Sequence, residues 1–410
     1  MFRGSTVLAG PARSGKTGRL LDHYRQVLAN EPLGAGLWLG PTHRGVAAVR
    51  DQLLAGSLAG CFSPNCLTFD QFARRVLESS PLEIRPIGLV AERQILRGLI
   101  LQALDERKLD YFAPVARTPG FLDLLVRFVE EMKRLEIWPA ELAAACGRAE
   151  KDRELCHLYE SYQRILTEHD MYDAQGRFWS ARDLLQKGQQ KPFERLRHVV
   201  VDGFADFTRT EHEILEILAG RVASLTISLP LEIGSPRGDL FAKADKTLTE
   251  LKRRHPDLAV HEMEPRSVAF PAIGHVERSL FSNPRQAAPV ADAVGIEIVE
   301  AAGAVHEIEL LARRIKQLLT QGDIGSAGAS VRPGDILVVF RSLGDAGELV
   351  REVFGEYGIP VAVGTRLPLE RAPILAALSA WLRLDVEGWP FRQLLGVLVH
   401  NYFRPAWTCW

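Results

Sequence analysis

Paired cysteines are missing from this sequence. Its five cysteines, Cys61, Cys66, Cys146, Cys156 and Cys409, are odd in number and scattered, and none stands in a C-x-x-C pair. That argues against a disulfide framework or a zinc-ribbon pattern and leaves reduced thiols as the reading. Long apolar runs are missing too, for no stretch approaches the ~20 residues that span a bilayer. The amino terminus enters a strand without the charged and apolar regions of a leader. A cytoplasmic chain with no membrane attachment is therefore expected. Charge of one sign is also lacking. Lys and Arg number 50 against 51 Asp and Glu, a formal net charge of −1, so any contact with a polyanion must come from a local patch. Low-complexity tracts are absent, and 47% hydrophobic with 25% charged residues is the balance of a soluble globular protein. At 410 residues the chain exceeds one ordinary core, and two or three domains are expected.

What is present is a repeated strand–helix alternation. Thr6 to Ala9 is a short apolar run, followed by a glycine-rich turn and a helical pattern over residues 18–28. Residues 36–39 form a second strand ended by Gly40-Pro41, 46–54 a helix, 66–69 a third strand leading into a helix over 72–77. From about Ile87 to Leu185 the spacing is near 3.6 throughout, which means long helices that each bury one face. Strands return with His198-Val199-Val200-Val201, a β-branched run suited to a fully buried parallel strand, and with Leu225 to Leu229. Residues 284–294 form a linker rich in Pro and Ala. Beyond it, strands at 296–299, 336–340 and 361–363 alternate with helices at 304–319, 343–357 and 374–384. Such alternation implies a parallel sheet with right-handed crossovers.

The expected architecture is an α/β, P-loop NTPase (RecA-like) parallel-sheet domain with a helical insertion, followed by a second RecA-like α/β domain that is truncated. The first domain occupies 1–85 and 195–283, the insertion 86–194, and the second domain 295–410. The chain stops at Trp407-Thr408-Cys409-Trp410 with no polar tail, which reads as a chain cut inside a larger architecture.

Gly10-Pro11-Ala12-Arg13-Ser14-Gly15-Lys16-Thr17 is the pattern G-x-x-x-x-G-K-[ST] between a strand and a helix. The glycines let the backbone curl until its N–H groups point at phosphate oxygens, and the following helix adds its positive end. Lys16 would reach the β- and γ-phosphates of a nucleoside triphosphate, ATP by expectation, and the Thr17 hydroxyl would ligate Mg²⁺. Hydrolysis needs an acidic residue at the end of a second strand, followed by a group that activates water. Asp202 stands at such a strand end as the Mg²⁺-associated candidate, but the next residue is Gly203. Asp206 and Glu211 are the only nearby substitutes for the missing base, and no spacing argues for either. Nucleotide binding is supported; efficient hydrolysis is not.

With these pieces in place the chain resembles the UvrD/Rep-type superfamily 1 helicases, and more specifically the N-terminal part of the AddB-type subunit of the ATP-dependent helicase/deoxyribonuclease. Gly10 to Thr17 matches motif I, Gly40-Pro41-Thr42 motif Ia, and Leu67-Thr68-Phe69-Asp70-Gln71-Phe72 the T-F-x-x-F segment of motif Ib. Val201-Asp202-Gly203-Phe204 falls where motors carry D-E, and D-G-F is the AddB form. Residues 336–341 resemble the motif IV strand and its arginine, and Gly358-Ile359-Pro360 the segment that follows. The resemblance implies a DNA-bound subunit of a machine that processes double-strand breaks, working with an AddA-type motor and nuclease partner. It implies Thr42, Thr68 and Phe69 along the single-strand path, and Arg341 as a γ-phosphate contact. The motors' N-terminal glutamine motif and motif III have no counterpart here, nor do motifs V and VI. The family's nuclease domain and iron–sulfur cluster belong to its C-terminal region, which is not represented in these residues. Arg74, Arg75, Arg313, Arg314 and Lys316 are further candidates for contact with single-stranded or duplex-end DNA. An autonomous helicase, or a scaffold that only grips DNA and partner, are the alternative functions.

Overall fold

The computed structural model describes residues 4–55, 60–80, 84–147, 149–266, 270–283, 285, 287–290, 292–321, 331–344, 346–364, 369 and 372–403. The chain end carrying Trp407, Cys409 and Trp410 lies outside them. Two compact units divide the molecule, residues 1–295 and 296–410.

Unit 1 begins with β1 (Gly4–Gly10), α1 (Lys16–Asn30), β2 (Gly36–Gly40), α2 (His43–Leu54), β3 (Cys66–Thr68) and α3 (Phe69–Glu78). A helical block follows, in which β4 (Arg85–Pro86) opens onto α4 (Leu89–Asp105), α5 (Pro119–Arg134), α6 (Pro139–Ala145) and α7 (Glu150–Glu168). β5 (Met171–Tyr172) and α8 (Gly176–Gln186) lead back to β6 (His198–Val201), α9 (Arg209–Ala219) and β7 (Ser224–Pro230). Then come α10 (Gly238–Arg254), β8 (Ala259–Glu262) and α11 (Pro271–Ser279).

Six strands form one sheet in the order β3-β2-β6-β7-β1-β8, and every neighbouring pair is parallel. Successive side chains of a strand point to opposite faces, and here each face has its own core. Val7, Ala9, Leu37, Leu39, Val199, Val201 and Ile227 feed one cluster with Phe72 of α3 and Leu215 of α9. Their neighbours Leu8, Trp38 and Val200 feed the other, with Leu20 and Tyr24 of α1 and Val46 of α2. Burial on both faces explains why β6 is a continuous apolar run rather than an alternating one.

The helical block has a separate core built from Leu96, Ile100, Leu125, Val129, Leu158 and Tyr162. Its chain leaves and returns through a second small sheet, in which Arg85 pairs with Met171 and Pro86 with Tyr172. A buried ion pair stands beside this core. Lys133 Nζ lies 2.5 Å from Asp173 Oδ2, and the same oxygen accepts from Tyr162. The other carboxylate oxygen accepts from the Gly176 amide, so the buried charge is fully partnered. Cys146 and Cys156, ten positions apart, bring their Sγ atoms to 3.3 Å as free thiols.

Unit 2 holds α12 (Ala304–Gln321), α13 (Ala346–Glu356), α14 (Pro373–Val386) and α15 (Phe391–Leu398). Ile308, Ala312 and Ile315 of α12 pack with Val350, Val353 and Phe354 of α13 and with Ile359. The strands expected at 296–299, 336–340 and 361–363 correct the sequence reading, since none carries a β-ladder among the described residues. Alternation survives without it. Ile336, Val338 and Phe340 pack onto the helical core, whereas Leu337 and Val339 are 85% and 76% exposed. Apolar alternation sets an extended backbone and an inward face. A strand also needs a neighbour about 4.8 Å away to complete its hydrogen bonds.

Candidate nucleotide site

Ligands of open parallel sheets bind beyond the carboxyl ends of the strands, and there the loop between β1 and α1 turns. Gly10 is held by close approach. A Cβ at that position would lie 2.6 Å from Ser14 Oγ and 2.7 Å from the Met263 carbonyl oxygen. Gly15, immediately before α1, has φ +85°, a left-handed conformation that strains any residue with a Cβ. Arg13 also has positive φ, 59°, so the loop reverses twice within three residues. Its carbonyl accepts from the Arg266 amide at 3.3 Å, and Ala9 O accepts from Met263 N at 2.7 Å.

Inside this curl Lys16 Nζ donates to Gly10 O at 2.6 Å, Pro11 O at 2.7 Å and Ser14 Oγ at 3.1 Å. Burial lowers its pKa from the ordinary lysine value, and the Asp202 carboxylate works against that shift. Pro11 and Ser14 are buried, whereas Ala12, Arg13 and Thr17 are exposed. Backbone curled between two glycines, a lysine in the mouth and a hydroxyl on the first turn of a helix together fit a triphosphate and its Mg²⁺.

Asp202 follows β6 and is 9% exposed. Ser228 of β7, the strand between β6 and β1, donates from Oγ to Asp202 Oδ1 and accepts from the Gly203 amide at 3.4 Å. Gly203 has φ +87°, and a Cβ there would meet Pro41 Cδ at 3.2 Å. The position where a motor places its glutamate is thus left-handed and backed by a proline ring. Neither substitute base is free. Asp206 is exposed and 3.6 Å from Lys243, and Glu211 accepts from the Thr208 amide and hydroxyl as the capping box of α9.

The sequence profile of the family described as ADDB, N-terminal, matches residues 7–275, more than half of the chain. The chain belongs to that family. Among curated proteins it is similar to the B subunit of the ATP-dependent helicase/deoxyribonuclease of Desulforudis audaxviator, 29% identical over 94% of this chain and 34% of the relative. The corresponding B subunits of Moorella thermoacetica (26% identical) and Symbiobacterium thermophilum (27%) match over the same shares of each chain. The chain therefore spans about a third of the length of these relatives.

Within this ADDB N-terminal region the other residues read from sequence are placed differently from one another. Thr42 is exposed, and its hydroxyl caps α2 by accepting from Gly45 N at 3.0 Å. Thr68 caps α3 in a capping box with Gln71 and is 5% exposed. Phe69 is 3% exposed and packs edge-on against Phe204 and Phe207, so it serves the core rather than an open stacking surface. Arg341 belongs to unit 2, exposed, just past the extended segment 336–340. Besides Arg13, unit 1 places a second arginine at the loop. Arg266 follows β8, and its guanidinium atoms lie 2.6–2.8 Å from where a Gly15 Cβ would stand. Sequence reasoning missed it because β8 is a short, largely exposed edge strand ending His-Glu. The signal that could have found it is an Arg-Ser pair shortly after a strand that itself follows a helix.

No helix among the described residues is long and apolar enough to cross a membrane, and no cluster of three or more His, Cys, Asp or Glu there could hold a metal ion.

Proposed function

We propose that this chain is the ATP- and DNA-binding portion of a helicase–nuclease subunit that acts in recombinational repair of double-strand breaks. In this reading it works in the cytoplasm beside an AddA-type partner that supplies most of the motor action. The backbone of residues 10–17 and the Lys16 ammonium hold the β- and γ-phosphates. Arg266 adds a planar cation beside the loop, and Arg341 is a further candidate for phosphate contact. Thr17 and Asp202 hold Mg²⁺ through the nucleotide, and the ion screens phosphate charge when bound. Along the strand path Thr42 offers the accessible surface, and Thr68 and Phe69 support it from the buried side.

The observation that carries the reading is the contrast between the loop at residues 10–17 and the left-handed Gly203 backbone, which strains any side chain where a motor places its water-activating carboxylate. Unwinding and strand cutting are assigned to the assembly and not to these residues. The test is ATP binding and turnover by the 410-residue chain with single-stranded DNA. Binding that Lys16→Ala weakens roughly 10- to 100-fold, with turnover far below the ~1–10³ s⁻¹ of ordinary enzymes, is expected. Rapid DNA-stimulated hydrolysis lost in Lys16→Ala would overturn the motor-deficient part. Nucleotide affinity that Lys16→Ala leaves unchanged would favour a scaffold.

A further inference from the structure

A groove of about 500 Å³ runs along the helical insertion between α4 and the start of α5. Arg93, Arg97 and Arg117 line it, no carboxylate does, and Ile100, Leu101 and Leu122 contribute apolar wall. In a chain of formal net charge −1 this is a concentrated local departure. Arg93 is held by Asp123 at 2.6 Å. Arg97 and Arg117 are exposed and make no hydrogen bond or ion pair with any described residue.

That sets them apart from most of the basic residues that the sequence pointed to. Arg74 is paired with Asp70, Arg313 with Glu309 and Tyr357, Arg314 with Glu297, and Lys316 with the Tyr357 carbonyl. An exposed guanidinium with no local partner keeps all its donors available.

The groove's chemistry selects among anions. Arg93 and Arg97 are one helical turn apart, about 5–6 Å between Cβ atoms, close to the step between phosphates on a strand. The lining holds no aromatic side chain on which a base could stack, so only a backbone is recognised. We propose that this groove is a sequence-independent nucleic-acid backbone site, in which Arg97 and Arg117 contact phosphates and Arg93, steadied by Asp123, flanks them. The proposal rests on the DNA-binding reading above.

The test uses the 410-residue chain and labelled oligothymidine between 50 and 200 mM salt. Each phosphate contact on a single strand contributes about 0.7 to the slope of log K against log salt. Replacing Arg97→Gln together with Arg117→Gln is expected to lower that slope by ~1.4 and to weaken binding roughly tenfold at the low-salt end. The control removes two comparably exposed arginines of the same insertion, Arg134→Gln with Arg164→Gln, and is expected to keep the wild-type slope. Equal slopes in the two double variants overturn the groove. So does an unchanged slope accompanied by lost association with a protein partner, which assigns the groove to that partner. A wild-type chain that binds no oligothymidine overturns the DNA-binding reading itself, a different failure. Should the double variant misfold, phenylglyoxal modification of the wild type decides the same question. Protection of Arg97 and Arg117 by oligothymidine, and not by equimolar inorganic phosphate, is expected; equal reactivity with and without DNA overturns the site.

Discussion

β1 and β6 end at the same edge of the same sheet with only β7 between them, yet they are equipped differently. Past β1 the chain makes two left-handed turns, at Arg13 and Gly15, and folds Lys16 into the curl. Past β6 it offers Asp202, already engaged by Ser228, and then Gly203 in a left-handed conformation against Pro41. The first end has the curl and the cation that a phosphate requires. The second carries one partnered carboxylate and, next to it, a left-handed glycine whose backbone strains any side chain. In the proposed function, backbone geometry adds to the missing side chain in separating the holding of a nucleotide from its splitting.

The largest effect expected on nucleotide handling comes from removing the charge at the β1 end. Lys16→Ala should weaken ATP binding roughly 10- to 100-fold, the range for a lost hydrogen bond to a charged partner, measured by calorimetric titration. Gly15→Ala comes next. Its Cβ would lie 2.6 Å from Arg266 Nη2 at φ +85°, so a stability loss of ~1–2 kcal/mol and weaker nucleotide binding are expected in melts and titrations. At the β6 end Gly203→Glu is expected to change turnover hardly at all while destabilising by ~1–2 kcal/mol. A variant that gained DNA-stimulated hydrolysis would break the comparison.

The smallest effect on nucleotide handling, though not on stability, belongs to the opposite, amino ends of the strands. There His23 of α1 lies edge-on to His198 at the start of β6, ring centroids 6.1 Å apart. Burial, and then the charge of His198, depress the His23 pKa from 6.5 to about 4. The folded state therefore binds fewer protons than the unfolded chain below pH 6.5. Stability should fall as pH drops from 6.5 through 4, by up to ~3 kcal/mol from this group. His23→Phe should flatten that part of the pH–melting curve and leave ATP affinity at pH 7.5 unchanged.

The turn between β1 and α1 was legible from sequence because it is local: eight consecutive residues place the glycines that its close approach and left-handed backbone need. The sheet of unit 1 was legible because strands buried on both faces leave unbroken apolar runs, as at residues 198–201. Arg266 was not, because its place on Gly15 depends on β8 pairing with β1 across some 250 positions, and an exposed edge strand carries no apolar run. Phe69 shows the converse limit. The T-F-x-x-F pattern is equally compatible with a strand path and with a core, and packing against Phe204 and Phe207 puts this ring in the core. In unit 2 the apolar alternation was real but only the inward half found partners, which composition along one segment does not reveal.

The small β4–β5 pairing has a consequence for the order of folding. β2 lies between β3, which is close in sequence, and β6, whose His198 pairs with Gly36 only after the entire helical block has been traversed. A flexible tether of roughly a hundred residues would oppose that closure by about 4 kcal/mol of chain entropy. The Arg85–Met171 pairing takes residues 86–170 out of that tether. Local helical contacts form quickly and distant strand pairings slowly, so the insertion is expected to fold first and to bring the ends of the sheet strands nearer. Weakening its core at Val129 or Leu158 is then expected to slow assembly of the six-stranded sheet, read by refolding kinetics.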